Sequence, residues 1–130
     1  MNKTILIVED NEMNRILVKD LLESENYDTV IAKDSEEALY QARNSAPDLI
    51  LMDIGLPEKD GIEVTKQIKN IDSISDELPI IALTAHATQK DRKRIKKSGV
   101  FFDLITKPIN TKEFLVKINK IIEGKENGIK

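Results

Sequence analysis

Five side chains suited to phosphate and hard-cation chemistry stand where short apolar runs end. Glu9 and Asp10 follow Thr4-Ile5-Leu6-Ile7-Val8, Asp53 follows Leu49-Ile50-Leu51-Met52, Thr84 follows Ile80-Ile81-Ala82-Leu83, and Lys107 follows the run 101–105 closely. Singly, each has a plain structural explanation, since acids at strand ends cap helices or form turns, a Thr hydroxyl can cap a helix, and Lys107 can be an ordinary loop lysine. Asp53 resists that explanation, because a carboxylate beside Glu9 and Asp10 is repelled unless a cation sits among them. The set therefore predicts a divalent ion.

Ligands that are all oxygen, in a chain without cysteine and with its single His86 outside the set, favour a hard ion such as Mg²⁺ and disfavour zinc. Beside such an ion a carboxylate can act as nucleophile on phosphorus and become an acyl phosphate, with Lys107 neutralising the equatorial oxygens and Thr84 hydrogen-bonding one of them. No protein base is needed, because a carboxylate is already ionised at neutral pH.

Five apolar runs alternate with five segments whose apolar residues recur at three or four positions, the pattern of βα units around a parallel sheet. Strands are predicted at 4–8, 28–32, 49–52, 80–83 and 101–105, and the first, third and fourth read as central. Helices are predicted at 12–25, 35–44, 61–71, 87–98 and 111–123. Asp34 with Glu37, Asp60 with Glu63 and Asn110 with Glu113 place a capping side chain three residues before an acid that can reach back. The first helix is expected to turn Met13, Ile16, Leu17, Leu21 and Leu22 inward, and the last Phe114, Leu115, Ile118, Ile121 and Ile122. The fourth has only Ala87, Ile95 and the nearby Val100 to bury, so it should be among the easier elements to displace. In such a sheet, ligands collect at the carboxyl ends of the strands, where the five chemical residues stand.

The chain has 130 residues, a net charge of −3 and mixed charges of both signs, as expected of one folded domain. No stretch approaches the roughly 18 apolar residues of a membrane span, and no signal-peptide pattern opens the chain, so the default location is cytoplasmic with no membrane role. The charge is too small to direct the molecule to nucleic acid, and no recognition-helix or zinc-finger pattern is present. The one strongly basic run, 90–97, is either a solvated helix face or part of a docking surface.

The chain resembles the receiver domains of two-component response regulators. The resemblance is carried by Ile5-Leu6-Ile7-Val8-Glu9-Asp10-Asn11, by Pro47-Asp48 through Asp53-Ile54-Gly55-Leu56-Pro57 with Asp60-Gly61, by Ile81-Ala82-Leu83-Thr84-Ala85-His86-Ala87, and by Ile105-Thr106-Lys107-Pro108-Ile109. The wording is similar to stand-alone regulators of the DivK type and to receivers attached to hybrid histidine kinases; the start at Met1 favours the former. The resemblance implies an α/β fold, (βα)5 and doubly wound, its five-stranded parallel sheet in the flavodoxin-like order 2-1-3-4-5, over residues 1–123 with a polar, frayed tail at 124–130. It implies Asp53 as phosphoacceptor, Asp10 and Asp53 on Mg²⁺ directly, Glu9 through a water and the Gly55 main-chain carbonyl as a further ligand. Thr84, the Ala85 amide and Lys107 would hold the phosphoryl group, and the Lys107–Pro108 peptide would be cis.

The implied partners are a histidine kinase or histidine phosphotransfer protein as donor, and a downstream protein or a second copy engaged by the fourth helix, fifth strand and fifth helix. Two departures from the common pattern stand out, Leu104 with the nearby Gly99, and Gly55, where larger side chains often stand. Leu104 stands where many members carry a switching aromatic, with Phe102 expected on the same face and able to replace it only if the backbone bulges; Gly99 lies one residue farther from Lys107 than is common. Gly55 leaves water freer access to the acceptor, which gives His86 the larger influence on phosphate lifetime. The competing enzymatic function is an aspartyl-nucleophile phosphatase resembling the haloacid dehalogenase group, which needs an acid two residues after the nucleophile where this chain has Gly55. A dinucleotide site is disfavoured, since no G-x-G-x-x-G or P-loop occurs.

Overall fold

Ten elements alternate without interruption in the computed structural model, which describes residues 2–56, 59–85 and 88–124. They are β1 (Thr4–Val8), α1 (Glu12–Ser24), β2 (Asp28–Ala32), α2 (Ser35–Asn44), β3 (Leu49–Asp53), α3 (Gly61–Lys69), β4 (Ile80–Thr84), α4 (Gln89–Ser98), β5 (Asp103–Thr106) and α5 (Thr111–Ile122). The strands form one parallel sheet in the order β2-β1-β3-β4-β5. This is the expected doubly wound, flavodoxin-like fold.

Strand alternation divides the core into two layers. Leu6, Val8, Ile50, Met52, Ile80 and Ala82 pack with side chains of α2, α3 and α4, such as Ala38, Ile68 and Ile95. Ile5, Ile7, Leu49, Leu51, Ile81 and Leu83 pack on the opposite face with Val18, Leu22, Phe114 and Ile118 of α1 and α5. Because β1, β3 and β4 are covered on both faces, their sequences are apolar apart from Thr4, Asp53 and Thr84 at their ends, and all five residues of β3 and of β4 are buried.

Helix starts follow the expected chemistry with local variations. Asp34 accepts from the Glu37 amide at 2.9 Å and Asn110 from the Glu113 amide at 3.0 Å, whereas Asp60 accepts from the Ile62 amide at 2.9 Å. Glu37 reaches back one residue beyond its cap, to the Lys33 amide at 2.9 Å. Asn11 and Thr88 cap α1 and α4 as well, accepting from the amides of Asn14 and Asp91.

The α1 stripe is a correction. Leu22 is buried and Leu21 partly so, but Met13, Ile16 and Leu17 are 75%, 48% and 42% exposed, and the second buried residue is Val18. The apolar arc of this helix is wider than the strip the sheet can cover, and the line that meets the sheet runs through Val18 and Leu22, one turn apart. The α5 stripe stands as expected, with Phe114, Ile118 and Ile121 buried and Leu115 and Ile122 packed against them. In α4 Ile95 alone is buried; Ala87 lies outside the described residues, as does the tail beyond Gly124.

Candidate functional site

Sheet register brings the separated chemical residues to one level. Val8 pairs with Met52, so Glu9 comes to lie beside Asp53; Asp53 pairs with Leu83, one residue before Thr84; Thr84 pairs with Thr106, one residue before Lys107. Main-chain bonds extend this alignment, with the Ile54 amide on the Leu83 carbonyl at 2.9 Å and the Lys107 amide on the Thr84 carbonyl at 2.8 Å. Four strands thus deliver side chains to one edge.

Carboxylate oxygens of Glu9, Asp10 and Asp53 lie within 4.8 Å of one another, Glu9 and Asp53 buried and Asp10 exposed. The Lys107 ammonium donates to Glu9 Oε1 at 2.6 Å and lies 3.4 Å from Asp53 Oδ2. Thr84 is buried beside them and Ala85 is exposed. Every predicted side chain of the set is therefore at this edge, with His86 outside the described residues.

One ammonium does not neutralise three acids. Burial, reinforced by the hydrogen bond to Asp53, raises Glu9 to a pKa of about 7 against the pull of Lys107. Asp53 moves the opposite way: burial alone would raise it, but its bonds with Glu9, the Gly55 amide and Lys107 together hold it below the usual range. Lys107 is raised, because Glu9 and Asp53 outweigh its own burial. Near neutral pH the pair can hold a proton on Glu9 with Asp53 as the anion, as two buried carboxylates that share a hydrogen bond do.

Three residues support the site; the sequence marked Asp60 as a cap and Asp60-Gly61 as part of the family pattern, but not their contacts, and it gave no sign of Arg15. Arg15 of α1 donates to the main-chain carbonyls of Glu9 at 3.1 Å and Asp10 at 2.8 Å, bracing the acidic turn. A Cβ on Gly61 would lie 2.4 Å from the Asp53 carbonyl oxygen and 2.9 Å from Ile54 Cα, so only glycine lets α3 start this close to the end of β3. Asp60, one residue earlier, caps α3 with one oxygen and receives Arg94 of α4 at 2.7 Å on the other. By contrast, a Cβ on Gly55 would meet Asp53 Oδ1 at 3.7 Å, an ordinary contact.

Phe102 does not share the face of Leu104. Leu104 packs in the layer with Ile95, whereas Phe102 packs with Phe114 in the opposite layer, and Phe101 lies in the Leu104 layer. The side-chain alternation slips by one residue just ahead of β5, since Phe102 precedes the strand and its irregular backbone is not bound to strand period. The Lys107–Pro108 peptide is cis.

The family model for the response regulator receiver domain matches residues 5–119. The chain belongs to that family. It is a receiver domain of two-component signalling. The polar-differentiation response regulator DivK of Brucella anthropi is 44% identical over 122 residues, covering 94% of this chain and 98% of that protein. Among solved structures, a CheY-like receiver domain protein of Methanospirillum hungatei superposes with a TM-score of 0.85 at 27% identity, covering 96% of this chain and 97% of the other. The receiver domain of a Pseudomonas aeruginosa sensor histidine kinase, at 33% identity and a TM-score of 0.84 over 95% of this chain and 99% of its own, was solved with a magnesium ion coordinated in the active site cleft. In this receiver domain the acidic cluster is the place where a metal ion can bind.

Proposed function

We propose that this receiver domain takes a phosphoryl group onto Asp53 from a phosphohistidine of a histidine kinase or phosphotransfer protein. The observation that carries the proposal is the meeting of Glu9, Asp10 and Asp53 with Lys107 at one strand edge. The donor set fits Mg²⁺, since it is all oxygen and so crowded that Glu9 is pushed toward holding a proton. Asp10, Asp53 and the Gly55 main-chain carbonyl would hold the ion directly and Glu9 through a water; bound there, it would neutralise charge building on the phosphoryl oxygens.

Asp53, kept ionised by its surroundings, supplies the attacking oxygen: an O–P bond forms to it as the P–N bond of the phosphohistidine breaks and the electron pair leaves with the imidazole. Lys107, already 3.4 Å from Asp53, would pair with the incoming group, and Thr84 and the Ala85 amide would hydrogen-bond its oxygens. The added charge would shift the population of α4 and β5, changing the surface formed by α4, β5 and α5 for a downstream protein or a second copy. Beyond its own phosphorylation and slow dephosphorylation the domain would turn over no substrate. It would act in the cytoplasm, and among the described residues no helix is long and apolar enough to cross a membrane.

Similarity to DivK supports a stand-alone regulator, and similarity to the Pseudomonas receiver supports, as the second reading, a domain linked to a kinase. Incubation with Mg²⁺ and acetyl phosphate should add one phosphoryl group to the wild-type mass and none to Asp53→Ala. Equal labelling of the two proteins would exclude Asp53 as acceptor.

A further inference from the structure

We propose that the outer face of α4 seats an acidic segment of a partner protein, an inference that names the chemistry of the downstream partner and rests on the signalling role above. The helix carries six cations against one acid, Asp91, and buries only Ile95. Lys90, Lys93, Lys96 and Lys97 are exposed, and their ammonium groups make no hydrogen bond or ion pair among the described residues. At 100° per residue, Lys90, Lys93 and Lys97 form a line opposite Ile95, while Arg94 turns toward α3. Lys93 and Lys97, one turn apart, repel each other, and Lys90 stands in the first turn, where the helix dipole disfavours a cation. The face is thus an electrostatic debt that an anion would settle.

The structure indicates which anion. A carboxylate already occupies the rim of this face: Asp60 holds Arg94 at 2.7 Å. Beside that pair, between α3 and α4, runs a groove of about 320 Å³ lined by two acids, Asp60 and Glu63, and by three cations, Lys66, Arg94 and Lys97, large enough for a few side chains. Nucleic acid fits the face poorly, since α4 has no aromatic residue for base stacking and the chain as a whole has a net charge of −3. A lipid surface fits poorly too, because the helix has no exposed apolar side chain to insert. A protein segment with acids one helical turn apart matches the Lys93 and Lys97 spacing and can add a further carboxylate near Arg94.

The test uses the full chain, unphosphorylated, and a fluorescent helical peptide with Glu repeated every four residues, titrated at low and at moderate salt. Binding should be detectable at low salt and weaken as salt rises. The triple variant Lys90→Glu/Lys93→Glu/Lys97→Glu should bind at least about tenfold more weakly, whereas Lys3→Glu/Lys33→Glu/Arg43→Glu, with the same change in net charge on exposed residues elsewhere, should lose less than about twofold. Absence of peptide binding, or equal losses in the two variants, would overturn the proposal. So would tighter binding of a 20-base-pair duplex or of vesicles of three parts phosphatidylcholine to one part phosphatidylglycerol than of the peptide. Acetyl phosphate labelling is followed in parallel: its loss from the wild type would strike the acceptor assignment, while peptide binding would still judge the α4 face.

Discussion

Helices α5 and α4 flank the same edge strand from opposite faces of the sheet, yet they are held by different forces. On α5, Phe114, Ile118 and Ile121 are buried, with Leu115 and Ile122 packed around them; α4 has Ile95, the neighbouring Val100, and a half-exposed ion pair from Arg94 to Asp60. Burial of apolar area scales with the number of side chains removed from water, and an exposed ion pair adds little. The α5 side of the site is therefore a fixed wall, and the α4 side is a part that can move at small cost. The ion pair on that side ends on Asp60, the residue that caps α3 and stands next to Gly61, which closely approaches the end of β3, so displacement of α4 would pull on the loop after Asp53.

The sharpest way to break this contrast is to remove one buried side chain from each helix. Phe114→Ala should cost about 3–5 kcal/mol in chemical denaturation. Ile95→Ala should cost less globally, near about 2 kcal/mol, and should remove hydrogen-exchange protection over 89–98 first. Equal global losses, with α4 still protected, would show the two helices to be equally anchored.

A smaller effect is expected on the α4 side, where α3 starts against the end of β3. Gly61→Ala drives a methyl against the Asp53 carbonyl and should cost about 1–3 kcal/mol while lowering the rate of acetyl phosphate labelling. If both stability and labelling were unchanged, the close approach of α3 would have no consequence for Asp53.

The smallest is a dependence on pH. Since Glu9 is raised to about 7, its proton must leave before a cation is held, and apparent Mg²⁺ affinity should fall by about tenfold from pH 8 to pH 6, flattening above neutrality. Titration calorimetry at those pH values checks this; a flat profile would mean that Glu9 is already ionised. The sign follows from the raised pKa, because lower pH fills the protonated form that competes with the ion.

How much of this was legible in the sequence differs between the same two sides. Aliphatic runs ending in Asp53 and Thr84 announced strands covered on both faces, and register then left the chemical residues no other place to go. Helix caps were legible because they are local, although Asp60 accepts from a different amide than its spacing suggested. Periodicity failed in α1, where six apolar residues offer more face than the sheet covers and exposed Met13, Ile16 and Leu17 remain at the surface. It failed again ahead of β5, where an irregular backbone separates Phe102 from Leu104. The roles of Arg15, of the Asp60–Arg94 pair and of Gly61 against β3 were not legible, because each depends on a contact between elements, which no local pattern encodes.

β5 is a four-residue edge strand that begins with Asp103, a buried acid paired to Lys117 of α5 at 2.7 Å. An inward-turned charge on a short edge strand makes strand-to-strand zipping between molecules costly, because extending the sheet would disturb a partly buried ion pair. Two copies meeting at this side would therefore have to join through side chains of the flanking helices, a contact easier to undo than a shared sheet.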